Sequence, residues 1–205
     1  MNTKEIYDSL KRYKCFIGVF PLDLLPKVTQ LPAALVVNTD KSHEPGEHLV
    51  AIYLKANGKG QYFDSFGMPP LKEELIDFME LNCPDGWTYN KIMFQNILGI
   101  TCGHYCVLFI KLRCRSYSFK EFIHLFTNVT SINDEVVQHL YKALDKMDKL
   151  PEAKGQFRYK RLESEDLGPK KKFNLPKFFY SKKDDKKLLD DGKNFCDDRR
   201  SGFRK

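Results

Sequence analysis

The first 150 residues read as a domain that mixes strands and helices, and three observations predict it. Ala33-Ala34-Leu35-Val36-Val37-Asn38 is an apolar run of strand length that ends at polar residues. His48 to Leu54 and Gln61 to Ser65 flank the turn signal Asn57-Gly58-Lys59-Gly60, the pattern of a β-hairpin. Cys102 to Cys114 has helical spacing and is apolar nearly all round, which predicts a buried helix.

The remaining elements fall between these landmarks. Residues 3–13 carry Ile6 and Leu10 at helical spacing, and 15–20 read as a strand or extended segment. Pro21 and Pro26 bracket a turn-rich stretch. Pro69-Pro70 lead into an amphipathic helix over 70–81, with Leu71, Leu75, Phe78 and Met79 on one side. Lys91 to Phe94 is a short strand candidate. Ser118-Phe119-Lys120-Glu121 is a capping box opening a helix to residue 127. Ser131 or Asn133 opens a further helix that carries Val136, Val137, Leu140, Leu144 and Met147 and ends at Pro151.

Charge divides the chain at the same place. Of 34 Lys/Arg and 27 Asp/Glu, residues 1–150 hold 17 of each, so 34 − 17 = 17 basic and 27 − 17 = 10 acidic residues remain for 151–205, the whole net charge of +7. The reading is a cysteine-bearing domain over 1–150 and a basic, mobile tail over 151–205. In the tail, Phe157, Tyr159, Phe173, Phe178, Phe179, Tyr180, Phe195 and Phe203 stand among lysines, a composition suited to non-specific nucleic-acid binding by phosphate neutralisation and stacking. Lys170-Lys171-Lys172 fits part of a nuclear-import signal. No apolar run approaches the ~20 residues that span a bilayer, and the first residues lack a secretory apolar core. Six cysteines (15, 83, 102, 106, 114 and 196) are accordingly expected as free thiols in a reducing compartment, with no membrane association and no secretion.

Four residues carry the chemistry. A thiol nucleophile needs a base, an orienting acid and an oxyanion donor; Cys102, His48, Asp64 and Gln95 supply one of each. Cys102 sits where Gly99 to Thr101 turn into the buried helix, so the positive end of the helix dipole favours its thiolate. The backbone N–H of Cys102 and the side-chain amide of Gln95, reaching across the loop, are the two oxyanion donors. His48 opens the first hairpin strand and Asp64 closes the second, so the two meet at one edge. Asp64 between Phe63 and Phe66 needs a hydrogen-bond partner; a plain turn-forming role is its rival reading. Cys106 and Cys114 read as small core residues, and His43, His104, His124 and His139 as surface or turn residues. Zinc on Cys102, His104, Cys106 and Cys114 is disfavoured because 104 does not share a helix face with 102 and 106 and no second CxxC pair is present. The chemistry requires no cofactor.

At these residues the chain resembles the adenovirus-protease (adenain) family of cysteine peptidases, related in fold to the SUMO and ubiquitin-like-protein proteases and encoded also by Maverick/Polinton virus-like elements. Phe16-Ile17-Gly18-Val19-Phe20, Leu35-Val36-Val37-Asn38-Thr39 leading to His48, Tyr62-Phe63-Asp64-Ser65-Phe66-Gly67, the Gln95-to-Cys102 spacing and Cys102-Gly103-His104-Tyr105-Cys106 carry the similarity, over residues 15–127. The resemblance implies an α+β fold with a central mixed β-sheet flanked by helices, and the nucleophile at the N-terminus of a buried central helix. It implies Cys102 as nucleophile, His48 as general base and acid, Asp64 as its orienter and Gln95 as oxyanion donor. Capsid or core precursors are the implied substrates, cut by a monomer in the host nucleus or cytoplasm and in the virion, with DNA or a viral peptide as an activator. Two departures stand out: Leu49 replaces the Trp that packs on the histidine in the family, and Asp64 replaces the adenoviral Glu, as in the SUMO-protease branch. The alternatives are a deubiquitinase or SUMO-type protease, and an inactive protease fold that binds nucleic acid or capsid.

Overall fold

The computed structural model describes residues 1–149. The expectations for 151–205, namely mobility, nucleic-acid binding and nuclear import, lie outside the described residues, as do Cys196 and the stop at Pro151.

Helix α1 (Thr3–Leu10) opens on a capping box in which Asn2 Oδ1 accepts from Glu5 N and Glu5 Oε2 accepts from Asn2 N. Its Ile6 and Leu10 are fully buried. Strands β1 (Phe16–Pro21), β2 (Ala33–Asn38), β3 (Leu49–Leu54), β4 (Gly60–Phe63) and β5 (Trp87–Tyr89) form a single five-stranded sheet in sequence order. β1 runs parallel to β2, β2–β3–β4 are antiparallel, and β5 is parallel to β4, so the sheet is mixed. The parallel step from β4 to β5 requires a crossover, supplied by α2 (Glu73–Asn82).

Two layers of helix cover the sheet. Leu35, Val37, Val50, Ile52, Leu54 and Tyr62 pack with Leu75, Phe78 and Met79 of α2. Phe63 instead stacks on Phe109 of α3 (Cys102–Cys114) and meets Phe122 of α4 (Phe119–Ile123) edge-on. α5 (Thr130–Lys149) packs on the outside of α3. With neighbours on several sides, α3 is apolar all round, and its one fully buried charge, Lys111, is paired with Asp148 at 2.9 Å and Asp145 at 3.4 Å from α5. Among the described residues no helix is long and apolar enough to cross a membrane. The fold is α+β with a mixed sheet between helices.

Several expectations are corrected. The short strand lies at Trp87–Tyr89 and not at 91–94, because the Pro84-to-Gly86 turn delivers the chain to β4 at Trp87. α2 begins at Glu73, leaving Leu71 outside the helix and exposed. α5 begins at Thr130; Asn133, read as a cap, is buried and bonds back to Thr127 and Phe94 O. Met147 is exposed. Cys15 and Cys114 form a disulfide between the approach to β1 and the end of α3, with Cα atoms 7.1 Å apart, so these two are neither free thiols nor simple core residues. Ninety-nine residues of sequence separation hide that neighbourhood from linear inspection. Cys83, Cys102 and Cys106 are free.

Candidate active site

The register pairing Asn38 with Leu49 and Ala51 with Phe63 brings the start of β3 and the end of β4 to one edge of the sheet. His48 immediately precedes β3, and its carbonyl accepts from Thr39 N at 2.9 Å, which carries the ladder one residue further. Asp64 immediately follows β4 and starts a turn in which Gly67 N donates to Asp64 O at 2.9 Å. Gly67 holds φ +75°, and a Cβ there would lie 2.6 Å from the Ile92 carbonyl carbon, so glycine is required.

His48 Nε2 lies 2.9 Å from Asp64 Oδ1. The same oxygen accepts from Phe66 N at 2.7 Å, so Asp64 is both turn-former and partner of the histidine. The two readings of Asp64 are therefore compatible. The Phe66 ring lies against the imidazole, with centroids 4.8 Å apart. The packing expected from a Trp at position 49 is supplied by the turn that follows β4. Leu49 itself turns toward α3, with its Cδ1 3.4 Å from where a Cβ of Gly103 would stand.

Cys102 is the first residue of α3. Thr101 precedes it as N-cap without capping by its side chain, because its hydroxyl donates to Asp134 Oδ1 at 2.7 Å. Of the first-turn N–H groups, His104 N already donates to Thr101 O at 2.9 Å, whereas Leu49 of β3 and Gly103 offer main-chain N–H groups to the Cys102 sulfur and lower its pKa. The thiol also interacts with the His48 side chain; since Nε2 is engaged by Asp64, Nδ1 is the ring nitrogen left for sulfur. Burial opposes both charges. It raises the Cys102 pKa and lowers that of His48, but the mutual contact, Asp64 and the two backbone donors outweigh it. The result is a Cys102 pKa below its ordinary value and a His48 pKa raised to about 9. The arrangement favours charge separation, a thiolate beside an imidazolium, over the neutral pair.

Gln95 is buried. Its Oε1 accepts from Ser65 Oγ at 2.7 Å, and its Nε2 donates across the loop to Gly99 O at 2.6 Å, leaving one N–H. The loop from 95 to 101 is anchored by Asp134 of α5, which accepts from Asn96 N, Thr101 Oγ1 and Tyr105 OH. Thus His48, Asp64 and Cys102 come together, and Gln95 is tied to the loop that delivers Cys102. Of the other histidines, His104 is not a surface residue: it is half-buried on α3 with Tyr141 edge-on to it. Asn90 and Asp134, which tie the segments of the site together, carry no signal in the sequence. Each is a buried or half-buried polar residue whose partners lie far along the chain, and no local pattern marks them.

No family model matches the chain, and no curated protein is significantly similar to it. Solved structures do match. The 1.7 Å structure of ChlaDub1 from Chlamydia trachomatis aligns at 20% identity and TM-score 0.37 over 58% of this chain. The chain spans only 64% of that protein's length. The central domain of Lpg1148 from Legionella pneumophila aligns at 11% identity and TM-score 0.36, covering 64% of this chain and 86% of that one.

Proposed function

We propose that this protein is a cysteine endopeptidase. The observation that carries the reading is the continuous Asp64–His48–Cys102 relay with the thiol at a helix tip. Cys102 thiolate attacks the scissile carbonyl carbon, and the carbonyl π electrons move onto oxygen. That oxyanion is met by the Cys102 backbone N–H and the remaining Gln95 Nε2 hydrogen. Protonated His48 gives its proton to the leaving amine as the C–N bond breaks, forming an acyl-enzyme. Neutral His48 then takes a proton from water, whose hydroxide displaces the thiolate.

The substrate class within this proposal is a structural precursor of a virus or virus-like element. Its support is the joint motif from Phe16 to Cys106, with DNA binding by 151–205 supported by the tail's lysine and aromatic composition. The decisive experiment incubates the protein with candidate capsid and core precursors, with and without DNA, alongside ubiquitin-like vinyl-electrophile probes. Precursor cleavage lost in Cys102→Ala and in His48→Ala is the expected result. Capture of a ubiquitin-like probe without precursor cleavage assigns the isopeptidase alternative instead. Cleavage that survives Cys102→Ala overturns the reading.

A further inference from the structure

β4 and β5 pair in parallel only as far as Tyr62 and Tyr89. Beyond that point a side chain takes over. Asn90, almost fully buried, accepts from Asp64 N through Oδ1 at 3.0 Å and donates to Asp64 O through Nδ2 at 2.5 Å. Both polar groups of the Asp64 main chain are thereby satisfied by one amide, which imitates a neighbouring strand. The same Nδ2 donates to Ile92 O at 3.1 Å, the peptide against which Gly67 turns. Two residues further on, Phe94 N and Gln95 N both donate to Ser65 O. The turn that carries the acid is therefore stitched to the segment that carries Gln95, and Asn90 is the first stitch.

We infer that Asn90 is a positioning residue of this site, holding the Asp64 main chain so that its carboxylate meets His48; the inference rests on the peptidase reading above. Without the Asn90 amide, the buried Asp64 N–H loses its partner and the Asp64 carbonyl keeps only Gly67 N–H, and the turn relaxes away from the 2.9 Å contact with the imidazole. A hydrogen bond of this kind weakens steeply with misalignment. Asp64 then supports the imidazolium less, and the thiolate forms only at higher pH.

The test measures the rate of Cys102 alkylation by iodoacetamide against pH, with melting temperature recorded in parallel. The unaltered chain is expected to react as a thiolate at a pH below that of an ordinary thiol. In Asn90→Ala the acid limb is expected to move up by about one pH unit, a roughly tenfold slower reaction near pH 6. Should Asn90→Ala fail to fold, Asn90→Asp serves: it keeps the acceptor for Asp64 N but faces two carbonyl oxygens without a donor, and the same displacement is expected. Val137→Ala, a core truncation in α5, controls for stability and should lower the melting temperature without moving the profile. An Asn90 variant whose profile superimposes on that of the unaltered chain overturns the inference alone, as does an equal displacement in Val137→Ala. An ordinary free-thiol profile in the unaltered chain overturns the peptidase reading and this inference with it.

Discussion

The Cys106 thiol donates to the Leu49 carbonyl at 3.3 Å, while the N–H of the same Leu49 donates to Cys102. One residue of β3 thus lies between two sulfurs one helical turn apart, and the two sulfurs have opposite fates. Burial pushes the Cys106 pKa well above its ordinary value, and Cys83 is pushed up to about 11 for the same reason. Cys102, with an imidazolium and two backbone donors, goes down. Among the three free cysteines of the described residues, brief iodoacetamide treatment of the folded protein near pH 6.5 should label Cys102 alone. Peptide mapping by mass spectrometry checks this, and equal labelling of Cys83 or Cys106 would contradict the assigned environments.

The pH profile of peptide cleavage should have a broad plateau bounded by the two members of the pair. On the acid side, activity appears as Cys102 loses its proton, below the ordinary thiol value. On the alkaline side, His48 loses its proton near 9, and the leaving amine then has no acid. Thiol alkylation needs no such acid, so it should continue above pH 9 while cleavage falls. Asp64→Asn removes the charge that favours imidazolium; the alkaline limb should fall toward the ordinary histidine value of about 6.5, costing roughly tenfold or more in kcat/KM at pH 8. An alkaline limb unmoved by that substitution would remove Asp64 from its role.

Much of this site was legible because its chemistry sits at element boundaries that the sequence marks strongly. β2 and α3 run over the expected residues, Ala33–Asn38 and Cys102–Cys114, because an unbroken apolar run or an all-round apolar helix has no other place than the core. β5 leaves no mark in the sequence because three residues, Trp87-Thr88-Tyr89, become a strand through pairing with β4 and not through their own pattern. The Cys15–Cys114 disulfide, the Asp134 anchor and the Asn90 stitch share one cause of invisibility: each joins segments between 26 and 99 residues apart. Leu49 misled in a different way. Its aliphatic side chain suggested a poorly packed imidazole, whereas the turn at Asp64 delivers Phe66 to that position.

That exchange can be tested directly. Phe66→Ala should leave the Asp64 turn in place, since the Phe66 contribution to it is a main-chain N–H. The imidazole loses the ring against which it is held, and a contact of this kind is worth about 0.5–1.5 kcal/mol. Activity should fall by about two- to tenfold. Leu49→Trp, which would place an aromatic ring directly after the histidine, should not rescue it. Leu49 faces Gly103 in the first turn of α3, and the larger ring overpacks that contact at a cost of about 1–3 kcal/mol in stability. Activity assays and thermal melts of both single variants and the double variant decide the matter; rescue by the tryptophan would show that the imidazole face is open to either strand.

The loop between Gln95 and Cys102 presents apolar side chains to solvent: Ile97 is 75% exposed, Leu98 90% and Ile100 86%. Its main chain is nevertheless fixed, by Leu98 N to Asn96 Oδ1, by Gly99 N to Asn96 O and by Asp134. A rigid, exposed apolar loop bounded by Gln95 and Cys102 is suited to contact residues flanking a scissile bond. Leu98→Asp should therefore raise KM for a protein substrate by about tenfold, the loss of burying one large aliphatic side chain, with kcat nearly unchanged because no catalytic atom moves. The melting temperature should hold, since so exposed a side chain contributes little to the fold. Steady-state kinetics with a protein precursor and with a short fluorogenic peptide separate the outcomes. A KM unchanged for both would place the substrate elsewhere on the surface, and a fall in kcat alone would mean that the loop acts through the geometry of Cys102.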